Sequence, residues 1–140
     1  VEPIGSIPLP AAVPTPEHAS APLGAKFAVA AFGLGLWLIT SPFLLGFGVT
    51  STRLGGWNNA VVVGAVVLVV ALGGMMAPAD TPWFGHVLAL LGAWVVVCPL
   101  VLGYHEKLDP ARALLNHAVS GAALLAVGVG AVLAMRRRRR

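Results

Sequence analysis

Long apolar runs alternate with short polar breaks along this chain. Four runs, residues 25–47, 57–76, 83–104 and 111–135, carry almost no charge. Each holds the roughly 20 residues that cross about 30 Å of hydrocarbon as a helix. The pattern predicts an all-α membrane protein with four transmembrane helices. Gly46, Gly48 and Thr50-Ser51-Thr52-Arg53 end the first run, and His105-Glu106-Lys107 follows the third. Between the second and third lies the turn 77–82, where Asp80 or Thr81 can cap a helix with Pro82 at an early helical position. Asp109 caps the fourth helix in the same way, with Pro110 next. Every break is short, so sequential helices are expected to be antiparallel neighbours.

The first pair of runs is repeated by the second. Leu34-Gly35-Leu36-Trp37 through Ser41-Pro42-Phe43 to Gly46-Phe47 aligns, 57 residues later, with Leu91-Gly92-Ala93-Trp94, Cys98-Pro99-Leu100 and Gly103-Tyr104. The same ungapped offset carries Asn59 onto Asn116 and Gly64-Ala65 onto Gly121-Ala122. A repeat of this kind decides the architecture before any single residue does. Two spans per repeat point both repeats the same way, related by an axis along the membrane normal. The chain then divides into segment 1–24, repeat 25–76, turn 77–82, repeat 83–135 and tail 136–140.

Composition and charge refine this picture. Hydrophobic residues make up 58% of the 140, more than a soluble domain of this size can bury. Five of the nine basic residues are the run Arg136–Arg140. Directly after a transmembrane helix such a run is a topology signal and an anionic-lipid contact, so nucleic acid is not an expected partner. It places both termini in the cytoplasm, across a bacterial inner membrane. Residues 1–24 hold six of the eleven prolines and are expected to be extended. They contain no Lys or Arg, and the first apolar run is longer than a signal-peptide core, so no cleavable signal is expected. The single cysteine, Cys98, excludes an internal disulfide and the paired-thiol chemistry of quinone-linked oxidoreductases.

The repeated frame resembles the SPW-repeat family of small bacterial and archaeal membrane proteins. Each repeat in that family is a helix pair with a Ser-Pro-Trp motif in its first helix. Here the motif reads Ser41-Pro42-Phe43 and Cys98-Pro99-Leu100; neither copy keeps the Trp, and the second has Cys for Ser. The resemblance covers residues 34–134 and implies the helix-pair fold. It implies no catalytic residue, since the family has no established activity.

Candidate chemistry is sparse. Pro42 and Pro99 sit inside helices and free the carbonyls of Leu38 and Val95. That predicts either a broken-helix binding site or a structural kink helped by the Ser41 hydroxyl; the kink is the expectation. Asn59 and Asn116 begin the second helix of each repeat. Leu38 lies about 13 Å below the end of its helix and Asn59 about 3 Å below the start of its own, too far for one side chain. The expected partners of the Asn residues are therefore the last carbonyls of the preceding helix, near Leu44 or Leu45. Such interhelical bonds contribute about 1 kcal/mol each.

Trp57 and Trp83 fit an interfacial belt. Trp37 and Trp94 fall near mid-span, where packing between repeats is expected, with stacking on a pigment, quinone or lipid as the rival. Ala118, Ala122, Ala126, Gly130 and Ala134 form a small-residue face on the fourth helix, matched by Gly85, Ala89 and Ala93 on the third. Either they seal the bundle or they bind another protein. His86, His105 and His117 are too scattered along the spans for haem, and no metal or other cofactor is expected. No Asp, Glu, Lys or Arg lies deep in a span, unlike most pumps and channels.

The expected function is a non-enzymatic accessory or structural subunit of a larger membrane assembly, an energy-transducing one included. Its contacts would be membrane lipid at Arg136, Arg137, Arg138, Arg139 and Arg140, and other membrane subunits through residues 1–24 and the fourth helix. Gly46 and Gly103 complete the structural motif in each repeat. The rival is a small-solute or lipid transporter built on the kinked helices.

Overall fold

The computed structural model describes residues 23–46, 56–76, 83–103 and 110–138. They form four helices: α1 (Leu23–Leu45), α2 (Gly56–Met76), α3 (Trp83–Val101) and α4 (Pro110–Arg138). All four are long and apolar enough to cross a membrane. Between 28% and 39% of each hydrophobic window is buried within the bundle. The remaining apolar surface includes Leu44, Val69, Met76, Leu90 and Leu100, all exposed, a surface that water would not tolerate but lipid does. The chain is a multi-pass membrane protein.

Helix ends differ from the sequence expectation in explicable ways. Gly46 has φ of +66° and Gly103 of +64°. Left-handed glycines just past a helix end are C-terminal caps, so α1 and α3 stop at Leu45 and Val101. Beyond Val101 the Leu102 amide still donates to the Cys98 carbonyl at 2.8 Å. At the other end of the chain α4 continues through Met135 to Arg138 rather than yielding to a tail. Arginine is a good helix former, and cations favour a helix C-terminus. Segment 1–22, the turn 77–82 with its proposed cap, His105, Asp109, Arg139 and Arg140 lie outside the described residues.

Helix α1 packs on α2 and α4, and α3 packs on α4 and α2. Contacts fix the directions. Gly35 meets Leu68 while Ile39 meets Gly64; Gly85 meets Val132 while Val96 meets Gly121. Partners therefore run opposite ways within each repeat. Phe27 lies against Gly130, and Trp37 meets Asn116, so α1 and α4 are antiparallel too. The two helix pairs consequently point the same way. The core is itself paired by the repeat: Leu38 with Val95, and Val67 with Leu124, all buried.

Within each repeat the helices touch at glycine. A methyl group on Gly64 would stand 2.9 Å from the Gly35 carbonyl oxygen, and one on Gly121 3.0 Å from that of Gly92. The second repeat adds a further crossing, where a methyl on Gly85 would lie 2.9 Å from the Gly128 oxygen. The first repeat has Ala28 and Ala71 at the corresponding positions. Close backbone approach of this type replaces the hydrophobic effect as the source of helix association in lipid.

Candidate functional site

The polar residues of the motif meet between the repeats, not within them. The Trp37 indole N–H donates to Asn116 Oδ1 at 3.0 Å. Asn116 Nδ2 donates to Ser41 Oγ at 2.9 Å. The Ser41 hydroxyl in turn donates to the Leu38 carbonyl at 3.3 Å, the acceptor that Pro42 frees. The second relay repeats the first with exchanged repeats. Trp94 Nε1 donates to Asn59 Oδ1 at 3.3 Å, Asn59 Nδ2 to Cys98 Sγ at 3.0 Å, and the Cys98 thiol to the Val95 carbonyl at 3.3 Å. Again the last acceptor is the one released by the proline, here Pro99. An indole N–H only donates, so each amide must present its oxygen to Trp and its nitrogen to Ser or Cys. The chemistry leaves one orientation for each Asn.

Local structure explains the pairing. Asn59 stands about 4.5 Å inside the start of α2, and Cys98 about 4.5 Å inside the end of α3, at 1.5 Å per residue. The side chains that share a depth are thus the amide and the motif Ser or Cys. That side chain then reaches back three residues to the carbonyl. The expectation that each Asn serves its own repeat, near Leu44 or Leu45, is corrected: Asn59 crosses to α3 and Asn116 to α1. The physical reason is the two-fold arrangement. It places the second helix of each repeat beside the first helix of the other, and such a symmetric interface makes every contact twice. The recurrence of Trp, Ser or Cys, Pro and Asn at one offset marks these residues in the sequence but not their exchange between repeats.

Burial separates the members. Ser41, Pro42, Cys98, Pro99 and Asn116 are buried, while Asn59 is half-buried. Trp37 and Trp94 remain 41% and 42% exposed, which corrects their expected place in the core. Their N–H groups are held by the Asn amides, while much of each side chain stays exposed on the bundle surface. Thr40, beside the first break, is exposed and donates at 2.9 Å to the Leu36 carbonyl of its own helix. Outside the relays, Phe43 meets Trp57 edge-on at 5.8 Å, and Trp83 meets Phe84 at 6.4 Å. The second repeat has Leu100 and Leu114 where the first has Phe43 and Trp57. A groove of about 410 Å³ opens there, bordered by Val96, Pro99, Leu100, Leu115 and Ala118.

The remaining candidates are dispersed. His86 is exposed in the first turn of α3, and His117 is buried in the second turn of α4. Because α3 and α4 are antiparallel, these histidines lie at opposite ends of the bundle. His117 Nδ1 donates to the Ala113 carbonyl at 2.8 Å. Among the described residues no group of three His, Cys, Asp or Glu could hold a metal ion. On α4, Ala118, Ala122 and Ala126 are exposed, with Gly130 and Ala134 half-buried. The face that seals the bundle runs instead through Ser120, Gly121, Leu124, Gly128 and Ala131. Arg136 and Arg137 are exposed in the last turn of α4.

The arrangement binds two helix pairs together, and each motif Trp, Asn and Ser or Cys donates to a protein acceptor. No curated protein and no solved structure matches the chain. The family model for the SPW repeat domain matches residues 25–131, most of the chain and both relays. The chain belongs to the SPW-repeat family.

Proposed function

We propose that this is a non-enzymatic structural protein of the membrane that serves as an accessory subunit of a larger membrane assembly. The observation that carries the reading is the closure of both relays. Trp37, Asn116, Trp94 and Asn59 tie one repeat to the other, while Ser41 and Cys98 occupy the carbonyls that Pro42 and Pro99 free, so in this reading the breaks are supports rather than substrate sites. A transporter using those breaks would need their carbonyls free for a solute. Docking rests on the outward stripe Ala118, Ala122 and Ala126, which adjoins the groove beside Leu100. Small side chains there admit a neighbouring helix closely. In this reading the chain sits in a bacterial inner membrane with both ends cytoplasmic, and residues 1–24 add to the contact with the partner.

The test is gentle extraction of the native protein and identification of what copurifies. A membrane-protein partner at a fixed ratio is expected. Ala122→Leu with Ala126→Leu should release it while the purified bundle unfolds as before. A native protein that migrates alone, or solute flux into vesicles that fails when Pro42 or Pro99 is replaced, would defeat the accessory reading in favour of transport.

A further inference from the structure

At the N-terminal end of α1 an apolar groove of about 440 Å³ opens against the last turns of α4. Leu23, Gly130, Leu133, Ala134 and Arg137 line it. Its size falls among pockets of about 300–1,000 Å³ that hold small ligands. Gly130 and Ala134 are half-buried in this wall, where Phe27 of α1 packs against Gly130. Four of its walls are apolar, and the fifth is a cation.

Among the described residues, the charge around the mouth is all positive. Arg136 and Arg137 are exposed, and so is Lys26, one turn along α1 from Leu23. The five carboxylates of the chain, Glu2, Glu17, Asp80, Glu106 and Asp109, lie outside the described residues, so no acid on the four helices balances these cations. An apolar slot with a cationic rim, at the end of membrane-spanning helices, matches a ligand with a chain at one end and a phosphate at the other. We propose that this groove binds one anionic phospholipid, with an acyl chain along Gly130 and Ala134 and the headgroup phosphate at Arg137. The site is independent of any partner subunit and rests only on the chain's residence in a membrane.

The full-length protein, purified in detergent, is titrated with phosphatidylglycerol or with phosphatidylcholine of the same acyl chains. Bound lipid is counted by native mass spectrometry. One phosphatidylglycerol should be retained in preference to phosphatidylcholine. Arg137→Gln should weaken that retention about fivefold, the weight of one basic side chain beside an anionic group. Arg136→Gln, which replaces a side chain outside the groove, should change it less than twofold. Ala134→Phe should lower retention with Arg137 still present, because the ring fills the slot. Equal losses from Arg136→Gln and Arg137→Gln would overturn the proposal, since the basic cluster would then act only as a diffuse charge. Equally strong binding of water-soluble glycerol phosphate would overturn it as well. So would a rise in lipid binding on removal of residues 1–22, which would make the chain's own N-terminal segment the occupant.

Discussion

Asn116 carries more of the bundle than Asn59, although the repeat makes them equivalent. Asn116 is 8% exposed and bonds to two firm partners, an indole N–H at 3.0 Å and a hydroxyl at 2.9 Å. Asn59 is half-buried, holds Trp94 at 3.3 Å, and donates to a thiol sulfur, a weak acceptor. Interhelical hydrogen bonds in lipid contribute about 0.6–2 kcal/mol. Asn116→Leu is therefore expected to cost about 2 kcal/mol and Asn59→Leu about 1 kcal/mol. Reversible unfolding in mixed micelles, followed by Trp emission, measures both. Cys98→Ser restores a hydroxyl to the second relay and should raise the cost of Asn59→Leu toward that of Asn116→Leu. Equal costs in the unaltered background would mean that the thiol is no weaker a partner than the hydroxyl. These residues were all legible in the sequence because each recurs 57 positions on. Their pairing was not, because each amide shares its depth with the motif Ser or Cys and not with the freed carbonyl. The motif Ser or Cys covers that distance, and it belongs to the other repeat.

Helices were legible where lipid demands them and illegible where it is indifferent. Uncharged runs of membrane length mark the spans, and Gly46 and Gly103 mark two of their ends. The buried face of each helix is another matter. In lipid both faces are apolar, so inside and outside differ in side-chain size rather than polarity. The four-residue spacing of Ala118, Ala122 and Ala126 suggests a seam, yet these residues face outward. Gly121 and Gly128 make the seam, two turns apart. How closely the helices cross sets the cost of adding a methyl there. On Gly35 it would meet the flexible Leu68 side chain at 3.0 Å and the Gly64 oxygen at 3.1 Å. On Gly92 it would run into the backbone nitrogen of Leu125, with the Gly121 oxygen at 2.9 Å. Side chains move aside more readily than backbone does. Gly92→Ala is expected to destabilise by about 3 kcal/mol and Gly35→Ala by about 1 kcal/mol, within the range for overpacking. Unfolding in micelles measures both, and a reversed order would show that the second repeat relaxes more easily than its glycine crossings imply.

The whole molecule is two helix pairs that point the same way and grip each other by exchanged relays. One consequence is that Leu23 and Arg137 share an end of the bundle, where they border one groove. The N-terminus of α1 and the C-terminus of α4 therefore emerge on the same side. Basic residues are divided unequally between the two sides. Lys26 and Arg136–Arg140 belong to the side with these ends, six in all, against three, Arg53, Lys107 and Arg112, in or beside the connections opposite. Lys and Arg beside short loops hold their side of a span in the cytoplasm, and acidic neighbours count for little. The hypothesis is that both ends are cytoplasmic and that the links from α1 to α2 and from α3 to α4 face outward. With Cys98→Ser removing the buried thiol, single cysteines are introduced by Ser51→Cys and, separately, by Arg137→Cys. An impermeant thiol reagent on intact cells should label the first and reach the second only after permeabilisation. Labelling of Arg137→Cys from outside would invert the topology and would place the basic groove on the outer leaflet. Labelling of both from outside would mean that charge on this small bundle does not fix a single orientation.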